Sequence, residues 1–353
     1  MATDPRQRRR GAADTESSRI DWLRELVARD APRALSLGIG DDAAVWRPPA
    51  GREVVLSIDA QACGTHFREE WSTARAIGRR AVHASVSDLA AMAARPAAIL
   101  VSLLLPAGWP ERSFRELVRG IDEAARELGA AIAGGNTSRG PLSVTITAIG
   151  SVARGRALRR DRLRAGDELW VTGCPGLAGL GLRLTEERAR SSRVSARPRG
   201  TENEHRAIQA WKEPRARVRE AMAIAARFAP RAAIDLSDGL ARDLEHLIEA
   251  SARRGRRVAI EIDRDLLERL EPLATLCRER GEDTASVALC GGEDYELCFT
   301  VPPGCIRPPA RREFARRFGT PLTRLGGVVD GSGLSLRDET GTQRVDVRGF
   351  EHF

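Results

Sequence analysis

Apolar positions recur along the chain with two periods, and these divide it into helices and strands. Ile20, Leu23 and Leu26 share one face of a short helix expected over 18–29. A long helix is expected over 72–94, closed by Pro96. Phe114, Leu117, Ile121, Ala125 and Leu128 recur at helical spacing and predict an amphipathic helix over 110–128. Apolar runs predict buried strands at 53–59, 97–105, 129–133 and 142–152, the last two flanking a Gly134-Gly135-Asn136-Thr137 turn.

A second series starts near residue 154. Strands are expected at 167–172, 232–236 and 258–262, and helices at 214–228, 240–252 and 309–318, the last with proline in its first turn. Segments 285–289 and 295–301 flank Gly291-Gly292-Glu293-Asp294, which taken alone reads as a hairpin turn. Residues 186–206 are rich in Arg, Ser, Glu and Gly and predict a mobile surface loop, and residues 1–18 a disordered basic tail. Helices and strands mix without strict βαβ alternation, so the expected class is α+β or mixed α/β in two domains, 19–153 and 154–353.

Composition narrows the picture only a little. The chain has 353 residues, 42% of them hydrophobic and 30% charged, as in an ordinary globular enzyme. No apolar run approaches the roughly 18 residues of a membrane span, and no secretory signal opens the chain, so a cytoplasmic protein is expected. The net charge of +8 could suggest nucleic acid, but Lys212 is the only lysine among 57 basic residues. So lopsided a ratio looks like coding bias. Aromatics are only 4%, too sparse for base-stacking platforms, and neither nucleic acid nor membrane is expected as a partner. The six cysteines form no Cys-x-x-Cys pair, and Cys63 with His66 alone makes no zinc site.

The candidate chemistry lies in acidic turns at the ends of apolar runs: Gly38-Ile39-Gly40-Asp41-Asp42, Ser57-Ile58-Asp59, Ser87-Asp88, Asp235-Leu236-Ser237-Asp238-Gly239 and Gly291-Gly292-Glu293-Asp294-Tyr295. Carboxylates without a histidine or cysteine cluster suit hard cations such as Mg²⁺, which take further ligands from substrate phosphates. Taken singly, Asp42 or Asp238 could be a helix cap, and Asp41 could simply shape its turn. No Walker motif and no strand-coupled Gly-x-Gly-x-x-Gly is present.

These segments, with Val171-Thr172-Gly173 and the terminal Phe350-Glu351-His352-Phe353, resemble in order the motifs of the thiamine-monophosphate kinase family. The Gly-Gly-Glu-Asp-Tyr-Glu-Leu block at 291–297 is the most specific of them. The resemblance implies a two-domain aminoimidazole-ribonucleotide-synthetase-like fold with mixed sheets flanked by helices, and a homodimer paired through its N-terminal domains. It implies ATP-dependent phosphorylation of thiamine monophosphate to thiamine diphosphate by in-line transfer assisted by several Mg²⁺ ions. No covalent intermediate and no acid, base or nucleophile is then needed, since the acceptor phosphate is already ionised.

By the same resemblance, Asp42, Ser57, Ile58 (through its carbonyl), Asp59, Asp88, Asn136, Asp235 and Asp238 match metal positions. Gly135, Asn136, Arg160 and Ser237 match ATP contacts, and His66, Glu293 and Phe350 the thiamine-phosphate pocket. Singly, His66 would be a structural histidine, Phe350 a core residue and Arg160 a surface arginine. The chain departs from the family at Asn136, where aspartate is usual, at Ile58, where threonine is common, and at Arg80, where lysine is usual. Two alternatives therefore stand beside the kinase: a catalytically weakened nucleotide- or thiamine-phosphate-binding protein, and another ATP-dependent enzyme of the same superfamily.

Overall fold

The computed structural model describes residues 16–27, 35–39, 41–191 and 200–345. The tail over 1–15, the middle of the 186–206 segment and Phe350 lie outside the described residues. The chain divides into two units, Met1–Ser85 with Pro96–Ser151, and Val86–Arg95 with Val152–Phe353. A division near residue 153 alone would miss that 86–95 belongs with the second unit.

The first unit begins with α1 (Glu16–Val27), the two-stranded β1 (Leu35–Leu37) and β2 (Val45–Trp46), and β3 (Arg52–Ala62). It continues with α2 (Ala74–Ala91), β4 (Arg95–Leu105), α3 (Glu111–Glu127), β5 (Ala131–Arg139) and β6 (Ser143–Ala153). Four strands form one sheet in the order β3-β6-β4-β5, with β4 and β5 parallel. The α3 stripe foreseen from spacing is buried: Phe114, Leu117, Ile121 and Ala125 have almost no exposure. Strand β3 alternates as a pleated strand must, with Val55 and Gln61 buried, Ser57 and Asp59 half-buried, and Val54, Leu56 and Ile58 outside.

The second unit comprises β7 (Glu168–Thr172), α4 (Leu177–Ser191), α5 (Glu202–Lys212), α6 (Val218–Arg227), β8 (Ala233–Asp235), α7 (Leu240–Ala252) and β9 (Val258–Asp263). Then follow α8 (Arg264–Leu267), α9 (Leu273–Arg280), α10 (Thr284–Cys290), β10 (Leu297–Val301), α11 (Pro308–Phe318), β11 (Leu322–Asp330), β12 (Gly333–Asp338) and β13 (Gly341–Arg344). Its seven-stranded sheet runs β13-β12-β9-β11-β7-β10-β8, mixed because β12 lies parallel to β9 while the other pairs are antiparallel. Leu169, Val171, Ile234, Leu244 and Ile260 anchor its core.

Two local expectations are corrected, and the segment 285–289, given no element from sequence, proves to be a helix. Residues 134–137 are not a turn: β5 runs straight through them, with a register shift against β4 between Ile99 and Leu100. Residues 285–289 are helix, because the Asp283 side chain accepts the Ser286 N–H at 2.9 Å and starts α10. The segment expected as a loop over 186–206 is helical at both ends. Thr201 and Glu204 form a reciprocal capping box that starts α5, and Arg188 of α4 pairs with Glu204 at 2.9 Å.

One buried ion pair ties the second unit together. The Arg217 guanidinium at the start of α6 holds the Glu296 carboxylate through both oxygens, and Thr172 of β7 donates to Glu296 Oε2 at 2.6 Å. Arg217 also donates to Thr320 Oγ1 at 3.0 Å, and that hydroxyl donates to Glu220 at 3.2 Å. Removing one partner strands the other charge in the interior. The substitution Glu296→Ala should cost about 3–5 kcal/mol of unfolding free energy, read from urea denaturation midpoints at constant slope.

Candidate functional site

In the first unit, the Asp41 side chain accepts the Asp42 N–H at 2.9 Å, so Asp41 shapes the turn and leaves Asp42 exposed. A cavity of about 1350 Å³ is lined by Asp41, Asp42, Gly135, Asn136 and Arg139 among others. It thus gathers the first acidic turn and the glycine-rich part of β5, which are nearly a hundred residues apart in sequence. A Cβ at Gly135 would meet the Val101 carbonyl oxygen at 1.9 Å, so only glycine lets β5 lie this close to β4. Asn136 donates to Ser138 Oγ at 3.3 Å.

Ser57, Ile58 and Asp59 do not end their strand, which continues to Ala62. Ser57 and Asp59 share one face, and the Ile58 side chain points to the other. Gln61 donates to Asp59 Oδ2 at 3.3 Å and accepts from Arg80 Nε at 3.2 Å. Arg80, almost wholly buried on α2, therefore orients Asp59 through Gln61. His66 sits in a tight turn after β3, where its Nδ1 accepts the Ala62 N–H at 3.1 Å, leaving the ring proton on Nε2.

In the second unit, Asp88 lies within α2 rather than at a strand end, and Asp235 closes β8. Asp235 is buried and its carboxyl is pushed up to about 6, first by burial and then by the Asp88 charge, while the Ser87 hydroxyl and the Arg160 guanidinium pull the other way. Two acids distant in sequence are therefore near neighbours, with Arg160 beside them. The next turn is braced from α7: one oxygen of the buried Asp243 accepts the N–H groups of Ser237 and Asp238 at 3.0 and 3.2 Å. Burial, then the charges of Asp235 and Asp238, hold the Asp243 carboxyl well above the usual carboxylate range. Asp238, Asp243 and His246 bring one ligand atom each within 4.8 Å of one another.

The Gly-Gly-Glu-Asp-Tyr segment is strapped to the same turn. Glu293 N–H donates to the Ser237 carbonyl at 2.8 Å and Tyr295 N–H to the Leu236 carbonyl at 2.7 Å. Both residues adopt left-handed backbone, φ 65° and 51°, a strained state that persists only where the surroundings hold it. Both Asp294 oxygens accept N–H groups at the start of α4, from Gly176 at 2.6 Å and Ala178 at 2.9 Å, while burial pushes its carboxyl up to about 8. The Trp211 indole donates to Glu293 Oε2 at 2.7 Å.

The donor set fits a hard divalent cation: carboxylates, a serine hydroxyl and a mutually repelling acid pair, with no thiolate among them. Sequence reasoning missed the supporting residues Gln61, Trp211, Asp243 and His246. Only Asp243 and His246 left a trace, an i,i+3 pair on the helix after the Ser237-Asp238-Gly239 turn.

Comparison with known proteins identifies the family and the fold. Residues 40–152 match the family model of the AIR synthase related protein, N-terminal domain. A thiamine-monophosphate kinase of Salmonella typhimurium is 34% identical over 340 residues, covering 93% of this chain and 97% of that one. The crystal structure of thiamine-monophosphate kinase from Stenotrophomonas maltophilia K279a superposes with a TM-score of 0.76 at 36% identity, over 90% of this chain and 94% of that one. A structure of AaThiL complexed with AMPPCP and TMP gives 0.73 at 27% identity, over 96% and 97%. The chain has their fold, mixed sheets flanked by helices.

The Asp88–Asp235 pair predicts a pH dependence in buffer free of divalent cations. Because the folded protein holds the Asp235 proton up to about pH 6 and the unfolded chain only to about 4, stability from this group is present below pH 4 and lost as pH rises through 6. Asp235→Asn should therefore raise the unfolding free energy at pH 7 by on the order of 1–3 kcal/mol and flatten its fall between pH 4 and 6. Thermal melts across that range check this.

Proposed function

The chain belongs to the thiamine-monophosphate kinase family, and from that premise we propose that it transfers the γ-phosphoryl group of ATP directly to the phosphate of thiamine monophosphate, giving thiamine diphosphate and ADP. What supports this reading most is Asp235, a carboxylate buried against the second carboxylate of Asp88. In the empty protein the raised Asp235 carboxyl can keep its proton, and a bound divalent cation would let both acids ionise while meeting substrate phosphates. A relative with the same fold is complexed with AMPPCP and TMP, consistent with a nucleotide and a phosphorylated acceptor as the two substrates.

Asp88, Asp235 and Asp238 in the second unit, and Asp42, Asp59, Ser57 and the Ile58 carbonyl in the first, would hold Mg²⁺. When bound, Mg²⁺ supplies the charge neutralisation that lets two phosphate groups approach in line. Asn136 stands at a further metal position, where its amide oxygen can ligate but adds no negative charge. In the first unit Gly135 lets backbone N–H groups come close to nucleotide phosphate, and in the second Ser237 and Arg160 offer a hydroxyl and a planar guanidinium to phosphate oxygens. His66, with its proton on Nε2, and the braced Glu293 bind the thiamine phosphate. Phe350, outside the described residues, would add an aromatic face for the cationic ring. None of these side chains must take a proton from the acceptor phosphate, which is ionised at neutral pH.

We further propose a homodimer through the first unit. Val54, Leu56 and Ile58 stand 47, 66 and 67% exposed in a row on β3, an apolar stripe that a second copy would cover. Leu56→Glu should convert the protein to a monomer, measured by light scattering after size exclusion; an unchanged mass would reject this interface. For the reaction itself, purified protein given ATP, Mg²⁺ and thiamine monophosphate should form thiamine diphosphate and ADP in equal amounts, and chelation by EDTA should stop it. A folded preparation that forms neither product would end the kinase reading.

A further inference from the structure

The geometry points to Trp211 as a positioning residue for substrate recognition: its indole N–H fixes the Glu293 carboxylate in the orientation that receives thiamine monophosphate. This rests on the kinase reading above. Trp211 lies at the end of α5, a helix whose first residues fall in the 186–206 stretch read as a loop. Its ring is 2% exposed, yet its one polar atom reaches Glu293 Oε2 at 2.7 Å. A neutral donor on a carboxylate at that distance is a charge-assisted bond, stronger than one between neutral groups.

Two features argue that this bond orients Glu293 rather than merely filling space. First, the backbone of Glu293 is already fixed by its N–H bond to the Ser237 carbonyl and by its left-handed φ, so only the side chain remains to be set. A free glutamate side chain would lose rotamer entropy when substrate orders it. The indole bond meets that cost before substrate arrives, which is preorganisation. Second, α5 is held in a narrow register. A Cβ at Gly181 of α4 would strike the Ala207 carbonyl oxygen at 1.9 Å, so the two helices touch backbone to backbone one turn before Trp211. The capping box at Thr201 and the Arg188–Glu204 pair fix the other end. The helix therefore delivers the indole nitrogen to one place.

The test is Trp211→Phe, which keeps an aromatic filler and drops the donor. KM for thiamine monophosphate and its Kd by calorimetry should rise about tenfold, the loss of one hydrogen bond to a charged group, while KM for ATP stays within about twofold. If the phenylalanine variant does not fold, site-specific replacement of the indole by benzothiophene removes only the N–H and should give the same split. Unchanged thiamine monophosphate binding overturns the proposal, as does an equal rise in both KM values, which marks a structural role. Wild-type protein that makes no thiamine diphosphate defeats the kinase reading and this inference with it. Wild-type turnover beside an unaffected Trp211 variant defeats this inference alone.

Discussion

The repulsion between Asp88 and Asp235 is the constraint from which the second unit is best understood. A buried carboxylate loses hydration, and a like charge beside it raises the cost again. Core packing against β8 and α7 supplies the free energy that keeps Asp235 in place, with Ile234, Leu236 and Leu240 fully buried around it. The raised Asp235 carboxyl makes the pair destabilising at neutral pH in the empty protein, and a bound cation, as proposed above, would relieve it. Such a trade of stability for function is common where binding residues are forced together.

A short segment then distributes that constraint through the unit. Residues 293–297 use their backbone to hold the Leu236-Ser237 turn and their side chains to hold three other elements: Glu293 meets α5, Asp294 the start of α4, and Glu296 the start of α6. Alternate residues cannot all face one way in an extended strand. Left-handed backbone at Glu293 and Tyr295 re-aims successive side chains, and the hydrogen bonds on either side hold the strain. The fixed positions of Asp235 and Glu293 are thus consequences of one piece of chain.

The arginine excess has a local explanation in the structure. Arg115–Glu111, Arg126–Asp122, Arg206–Glu202 and Arg264–Glu268 are pairs one helical turn apart, and Arg227 pairs with Glu313. Exposed pairs of this kind add little stability, and they account for many of the arginines without invoking a polyanionic partner. Arg80 and Arg217 are different. Arg80 is buried and Arg217 partly so, and each orients a carboxylate, Arg80 through Gln61 and Arg217 directly.

Much was legible in the order of residues alone. The α3 stripe, the strand over 258–262 and the acidic segments follow from periodicity and chemistry that each stretch carries within itself, and the family motifs named the reaction. Asn136 and the GGED block were visible as types, but not the conformations they adopt. Residues 134–137 read as a turn because glycine is ambiguous between a bend and a close strand approach, and only β4 beside it decides. Residues 285–289 carried no assignable element because a short apolar run has no period of its own, and the Asp283 cap that makes it a helix is a single hydrogen bond. The polar composition of 186–206 hid the start of α5, whose Thr201–Glu204 capping box is reinforced by Arg188 of α4. Above all, the influence of Asp88 on Asp235 and the contact of Trp211 with Glu293 belong to the tertiary structure, since no local pattern records which distant groups packing will bring together.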